Sequence, residues 1–212
     1  MSPNRTSYPT HLRDKIRYSP LPRLFIDGLD KLGIQIRLIY LIREGIVEGV
    51  ARPCQDVLED YEVEFLGLED MTEMARIPYR PFRYEELENR LKAGNLCLGA
   101  KRAAHLAAFT WCNLTWCKTA GYSFPLNDDE AYLYDAYTAP ELRGQGVAPA
   151  LRYRLYEELA RKGRTKLYSI SERFNTPAVR FKLKLGAEIL KSDWYVTLFT
   201  RRHLGPRGQR PN

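Results

Sequence analysis

The sequence predicts a mixed α/β fold, a twisted sheet that combines hairpins with one parallel crossover and is flanked by helices. Three observations predict it. Ala131 to Thr138 and Lys166 to Ser171 are both strand-like and are separated by one amphipathic helix-like run, the spacing of a parallel β-α-β crossover. Leu96 to Lys101 and His105 to Trp111 are β-like and joined by a short polar turn, as in an antiparallel hairpin. The crossover also begins with a glycine turn, Arg143-Gly144-Gln145-Gly146-Val147-Ala148, set directly before the helix. A length of 212 residues with 44% hydrophobic content is enough for one sizeable core, so one domain is expected.

Along the chain, residues 1–20 carry Pro3, Pro9 and Pro20 among polar residues and read as a poorly ordered end, as does the tail 203–212. Leu21 to Leu32 reads as a short helix closed by Gly33, followed by partial alternation over Ile34 to Tyr40. Tyr61 to Gly67 reads as a strand, then comes acid-rich helical text, and a helix spans Tyr84 to Leu91 with Gly94 as its stop. After the hairpin, residues 113–129 form a long connection that includes Trp116, Tyr122, Phe124 and Pro125. In the crossover helix, Val147, Leu151, Leu155 and Leu159 make one apolar stripe; Arg152, Arg154, Glu157, Glu158, Arg161 and Lys162 read as its wet faces, and Gly163 ends it. Asn175 caps a further helix with Pro177 in its first turn and Gly186 as its stop, and Trp194 to Thr200 reads as the last strand.

Charge is unevenly distributed. The net charge is +7, yet residues 51–95 hold six Lys/Arg against eleven Asp/Glu, while 132–190 hold eleven against six. The basic excess therefore accompanies the glycine turn, which suits a compact phosphorylated ligand better than nucleic acid. Cysteines 54, 97, 112 and 117 lack C-x-x-C spacing and histidines 11, 105 and 203 are dispersed, so no metal site is expected. Scattered thiols without a signal-peptide pattern read as reduced cysteines of a cytoplasmic protein. Leu38 to Ile42 is bracketed by Arg37 and Arg43 and is far shorter than the roughly 20 residues of a membrane span.

The glycine turn carries the chemistry. Glycines leave no Cβ in the way of a ligand, the first amides of a helix lack intrahelical partners, and Arg143 adds a formal charge, so a pyrophosphate can be held there. A dinucleotide fingerprint would need a third glycine where this chain has Pro149.

Pro140 to Ala148 resembles the Arg/Gln-x-x-Gly-x-Gly/Ala motif of the GNAT superfamily of N-acetyltransferases, with its proline three places upstream of the arginine. Asn175-Thr176-Pro177-Ala178, leading through Phe181 to Leu185-Gly186, and the order of elements around both motifs are also similar to that family. The likeness covers about residues 61–200 and is strongest over 131–187; residues 1–50 are set apart as an N-terminal extension, with the catalytic domain at 51–202. The resemblance implies a six- to seven-stranded twisted mixed sheet whose strands on either side of the crossover helix splay apart around acetyl-CoA or another acyl-CoA. Backbone amides of Gly144, Gly146 and Ala148, beside Val147, would hold the pyrophosphate, lined by Arg143 and Gln145. The backbone of Tyr137 and Thr138 would pair with the pantetheine amides, and Asn175 and Phe181 would meet its far wall, Asn175 being equally readable as a plain helix cap.

The implied reaction is acyl transfer to an amine. A primary amine with a pKa near 10 is neutral in only about one molecule in a thousand at pH 7, so a base or a water relay is called for. Glu130, thirteen residues before Arg143, resembles the glutamate base of the histone-acetylating branch. Asp135, on the face opposite Tyr134, is a second carboxylate for base or amine binding. Many relatives carry a tyrosine as general acid seven residues after the asparagine, where this chain has Lys182, read as a solvated helix position, a proton donor or a phosphate contact; Tyr168, Tyr137 or Tyr134 could take the acid role. Trp116, Tyr122 and Phe124 with Asp128, Asp129 and Glu130 would suit a cationic amine on an apolar body. The expected acceptor is a small-molecule amine, with a protein amine, or a silent acyl-CoA sensor, as alternatives. The basic helix at 152–166 would also suit an acyl carrier protein as donor, and the chain would act as a monomer or homodimer.

Overall fold

The structure is a computed structural model describing residues 34–78, 80, 82–119, 122–198 and 202–204. The helix expected over Leu21 to Leu32 lies outside these residues. In chain order the elements are strand β1 (Ile34–Glu44), β2 (Glu62–Phe65), helices α1 (Met71–Ala75) and α2 (Tyr84–Lys92), and strands β3 (Leu96–Arg102), β4 (His105–Asn113), β5 (Trp116–Thr119), β6 (Tyr122–Pro125) and β7 (Glu130–Thr138). Then come α3 (Val147–Arg161), β8 (Lys166–Glu172), α4 (Thr176–Lys184), β9 (Glu188–Leu198) and β10 (Arg202–Leu204).

The main sheet runs β10-β9-β1-β8-β7-β4-β3-β2, with β5 and β6 forming a separate hairpin. Seven strands make its body, as the sequence implies, and three-residue β10 edges it. The pairing of β7 with β8 is parallel, whereas the other pairings among the described residues are antiparallel.

Period-two alternation sorts the side chains onto two faces. On β4, Ala108 and Cys112 enter a core with Leu151, Leu155 and Leu159 of α3, while Phe109 and Trp111 enter a second core with Met71, Met74 and Leu87 of the α1–α2 segment. The apolar stripe of α3 therefore covers one face of the sheet and α1 and α2 cover the other.

Three segments differ from the sequence expectation. Residues 34–44, assigned above to an extension, form an inner strand between β8 and β9, with Leu41 and Ile42 fully buried. The connection 113–129 contains the β5–β6 hairpin because Cys117, Tyr122 and Phe124 alternate inward and pack with Ile39, Leu41 and Tyr168. Strand β9 begins at Glu188 rather than Trp194, since α4 ends at Gly186 (φ +83°) and β1 supplies a partner from Arg43 onward.

Candidate functional site

Strands β7 and β8 pair from Glu130↔Lys166 to Leu133↔Ser169 and then part. The parting coincides with a β-bulge. Asp135 has φ +51°, and the register between β7 and β4 slips between Phe109 and Trp111. An extra residue in one strand reverses the alternation beyond it, which is why Tyr134 and Tyr137, three apart, both pack on the core that holds Phe109 and Trp111. Asp135 consequently does not take the face opposite Tyr134 that simple alternation predicts. Its carboxylate turns to Arg80 (2.8 Å) and Arg90 (2.6 Å), and Arg90 stacks over the rings of Tyr134 and Trp111.

A cleft of about 780 Å³ opens where the strands part, walled by the end of β7, the first turns of α3, and α4. At one end lies the glycine turn. Gly144 and Gly146 have φ of +81° and +85°, a left-handed conformation that costs other residues about 1–2 kcal/mol. The amides of Val147 and Ala148, in the first turn of α3, have no intrahelical partner, no side chain caps the helix, and Pro149 has no N–H to offer. Arg80, Arg143, Arg152 and Lys184 line the cleft, and no carboxylate does among the described residues.

Of the residues expected to hold the donor, Tyr137, Thr138, Arg143, Gly144, Gly146, Val147, Ala148, Asn175 and Phe181 line this cleft. Gln145 does not; its side-chain Nε2 donates to the carbonyl of Glu141 at 2.7 Å. Arg143 Nε donates to the carbonyl of Thr138 (3.2 Å), tying the turn to the strand before it. Asn175 serves as wall and cap at once, since its side chain accepts from the amide of Ala178 at 3.4 Å.

The expected catalytic carboxylates lie elsewhere. Glu130 is 1% exposed, and its carboxylate accepts from the amide of Asn127 (2.8 Å) and from the Tyr168 hydroxyl (3.2 Å) at the end of β7 where the strands are still paired. Tyr168 is buried against Phe124, so both are held in the core beside the hairpin. Tyr122 and Phe124 are likewise buried, Tyr122 donating to Asp193, and Asp129 pairs with Lys166. None of these residues lines the cleft. Among the three tyrosines considered as acids, Tyr137 is on the wall; burial, with Glu141 nearby, raises its pKa, so its hydroxyl keeps its proton.

Sequence reasoning missed a buried charge cluster under the cleft. Arg152 and Lys182, both read as solvated, are 3% and 4% exposed. Glu44 of β1 is the reason they can be buried. Its carboxylate lies 3.2 Å from Arg152 Nε and 3.4 Å from Lys182 Nζ, and accepts from the Tyr156 hydroxyl at 2.5 Å. Arg152 also donates to Thr110 Oγ1 (2.8 Å), and Lys182 to Ser169 and Ser171 (2.8 and 2.9 Å). Burial pushes the Glu44 carboxyl up, but Arg152 and Lys182 outweigh it and hold the pKa below the ordinary carboxylate value. Burial pulls Lys182 down to about 8 against the opposing pull of Glu44. No local signal marked Arg152, which adjoins the apolar stripe without belonging to it, and its partner lies 108 positions upstream (152 − 44) and could not be paired by spacing.

The chain belongs to the acetyltransferase (GNAT) family, whose sequence profile matches residues 55–187. A search of curated proteins finds no match. Among solved structures, a putative GNAT-family acetyltransferase from Novosphingobium aromaticivorans is 20% identical, with TM-score 0.56, covering 78% of this chain and 66% of that one. A GNAT-family acetyltransferase from Colwellia psychrerythraea is 16% identical, with TM-score 0.57 and coverage of 91% and 63%. A tandem GNAT protein from the clavulanic acid biosynthesis pathway is 16% identical, with TM-score 0.56 and coverage of 86% and 60%. This chain thus spans less than two thirds of the length of each, and the likeness is one of fold. Among the described residues no helix is long and apolar enough to cross a membrane, no group of three or more His, Cys, Asp or Glu could hold a metal ion, and the four cysteines are free.

Proposed function

We propose that this chain is an acyl-CoA-dependent N-acyltransferase that moves an acetyl or other acyl group to a primary amine of a small molecule. The observation that carries the reading is the cleft wall, with Arg143 and Lys184 beside the already paired Arg80 and Arg152, no carboxylate among the described residues, and a left-handed glycine turn at the start of α3. That wall suits a ligand with several phosphates at one end and an uncharged arm. Gly144, Gly146 and the amides of Val147 and Ala148 would hold the pyrophosphate beside Arg143. The backbone of Tyr137 and Thr138 would lie along the pantetheine arm, with Asn175 and Phe181 opposite.

When bound, the donor supplies a thioester carbonyl. The chain supplies orientation, an apolar wall of Phe109, Leu151 and Phe181, and the Tyr137 hydroxyl as a hydrogen-bond donor to the departing thiolate, which takes up from water the proton the amine gives to it. The proton of the amine passes to water, because Glu130 is enclosed beside Tyr168. Coenzyme A is favoured over acyl carrier protein as the carrier. Arg154 and Arg161 are paired with Glu157 and Glu158 of their own helix, and Arg164 is turned onto backbone carbonyls, so the basic helix offers less free charge than its sequence suggests.

The test is calorimetry with coenzyme A, followed by thiol-release assays of an acyl-CoA panel against amino sugars, amino acid derivatives, polyamines and lysine or N-terminal peptides. Micromolar donor binding with turnover on a small amine is expected. Turnover on peptides alone would replace the small-molecule acceptor with a protein one, and donor binding without turnover on any amine would sink the enzyme reading.

A further inference from the structure

We propose that Asp135, Arg80 and Arg90 form a clamp that holds the β7 bulge in its left-handed conformation and thereby positions the wall of the cleft at the pantetheine arm of the donor. The inference rests on the donor reading above and concerns residues that the family motifs do not include.

Asp135 is a non-glycine residue at φ +51° in the middle of a strand. Such a residue persists only where its surroundings hold it, at a cost of about 1–3 kcal/mol. The surroundings here are specific. One carboxylate oxygen accepts from Arg80 at 2.8 Å and the other from Arg90 at 2.6 Å, and the three side chains are 19–27% exposed. A second nitrogen of Arg80 donates to the carbonyl of Ala136 (2.8 Å), the residue after the bulge, so the same guanidinium grips side chain and backbone together. Both arginines are fixed from behind by rings. Arg80 lies over Phe82, Phe109 and Tyr137, and Arg90 over Phe82, Trp111 and Tyr134. Arg90 is further held by Glu86 one helical turn away.

The clamp acts where the cleft begins. Arg80, Ala136 and Tyr137 line it, whereas Arg90 and Asp135 do not. A change at Arg90 can therefore reach a bound ligand only indirectly, through Asp135 and the bulge or through Phe82, whose ring it shares with Arg80. Released from the clamp, β7 can relax toward regular pleating, which would turn the side chains beyond the bulge to the other face. Tyr137 would be lost from the wall. The glycine turn lies on the far side of Ala139, whose amide donates to the carbonyl of Ala107 on β4 at 2.8 Å and anchors the chain past the bulge.

The experiment compares two probes by calorimetry, coenzyme A and 3′-phosphoadenosine 5′-diphosphate, which keeps the phosphates and lacks the pantetheine arm. The variants are Arg90→Gln, Asp135→Ala, which removes the carboxylate and keeps the strain of a left-handed Cβ residue, and Asp135→Asn, which tolerates a left-handed φ and keeps one acceptor oxygen. Arg90→Gln and Asp135→Ala should weaken coenzyme A by about tenfold, the scale of one lost set of contacts, with the shorter probe unchanged within about twofold. Asp135→Asn should fall between them and wild type. Equal weakening of both probes would make the clamp a fold-stabilising feature and overturn the proposal, as would no weakening of either. If the wild-type protein shows no preference for coenzyme A over the shorter probe, the donor reading falls and the clamp falls with it. A retained preference in every variant brings down the clamp alone.

Discussion

Glu44 is the residue on which the interior charge balance turns. It faces two buried cations and a tyrosine hydroxyl, and it comes from β1, outside the 55–187 stretch that the family profile matches. Removing one partner of a buried charge cluster leaves the others uncompensated, so Glu44→Gln should destabilise the protein by about 3–5 kcal/mol in urea unfolding at pH 7. Adding Lys182→Met should restore part of that loss, because it removes one of the two stranded charges. The pH dependence has a defined sign. A carboxyl held below its ordinary pKa contributes stability that is present above the unfolded-state value and is lost as pH falls through the folded-state value. Wild type should therefore lose stability on acidification through the carboxylate range more steeply than Glu44→Gln. Parallel acid limbs in the two unfolding curves would show that Glu44 is not held as described.

At the scale of elements, the junction of β7 with α3 sets what the cleft can bind. Gly144 and Gly146 are both left-handed, but their surroundings differ. A Cβ built on Gly144 meets nothing within 4 Å, whereas one on Gly146 meets Val57 at 3.6 Å, an ordinary contact. A Cβ at 146 would thus be strained by its backbone conformation, whatever the space around it. Gly144→Ala is the cleaner probe. It should cost about 1–2 kcal/mol of stability in thermal or urea unfolding and lower coenzyme A affinity at least about tenfold by calorimetry. Affinity retained with the stability loss present would move the pyrophosphate away from this turn. The element itself was legible in sequence because glycine, proline and helix-cap signals act locally. The bulge beside it was not, since nothing in Tyr134-Asp135-Ala136-Tyr137 announces a left-handed aspartate; the arginines that hold it lie 55 and 45 residues upstream.

At the scale of the whole molecule, β1 joins the parts. It pairs with β8 over Ile39–Glu44 and with β9 over Ile34–Arg43, so the strand that follows α4 reaches the sheet only through it. Deletion of residues 1–44 would strip the inner edges of β8 and β9 of hydrogen-bond partners, uncover Tyr122 and Tyr168, and remove Glu44. The expected result is loss of the cooperative thermal transition and of soluble yield, whereas a soluble, cooperatively melting fragment would show that 45–212 folds without β1. The sequence by itself determined the parallel crossover, the glycine turn, the family, and nine of the nineteen residues that line the cleft. Each follows from signals within a few residues: hydrophobic period, glycine and proline chemistry, and motif spacing. The tertiary structure alone decided that residues 34–44 are an inner strand, that Arg152 and Lys182 are buried, and that Asp135 is clamped rather than free in the cleft. Each of those depends on a charge or backbone partner supplied from a distant part of the chain, and local pattern carries no information about which distant residue will meet it.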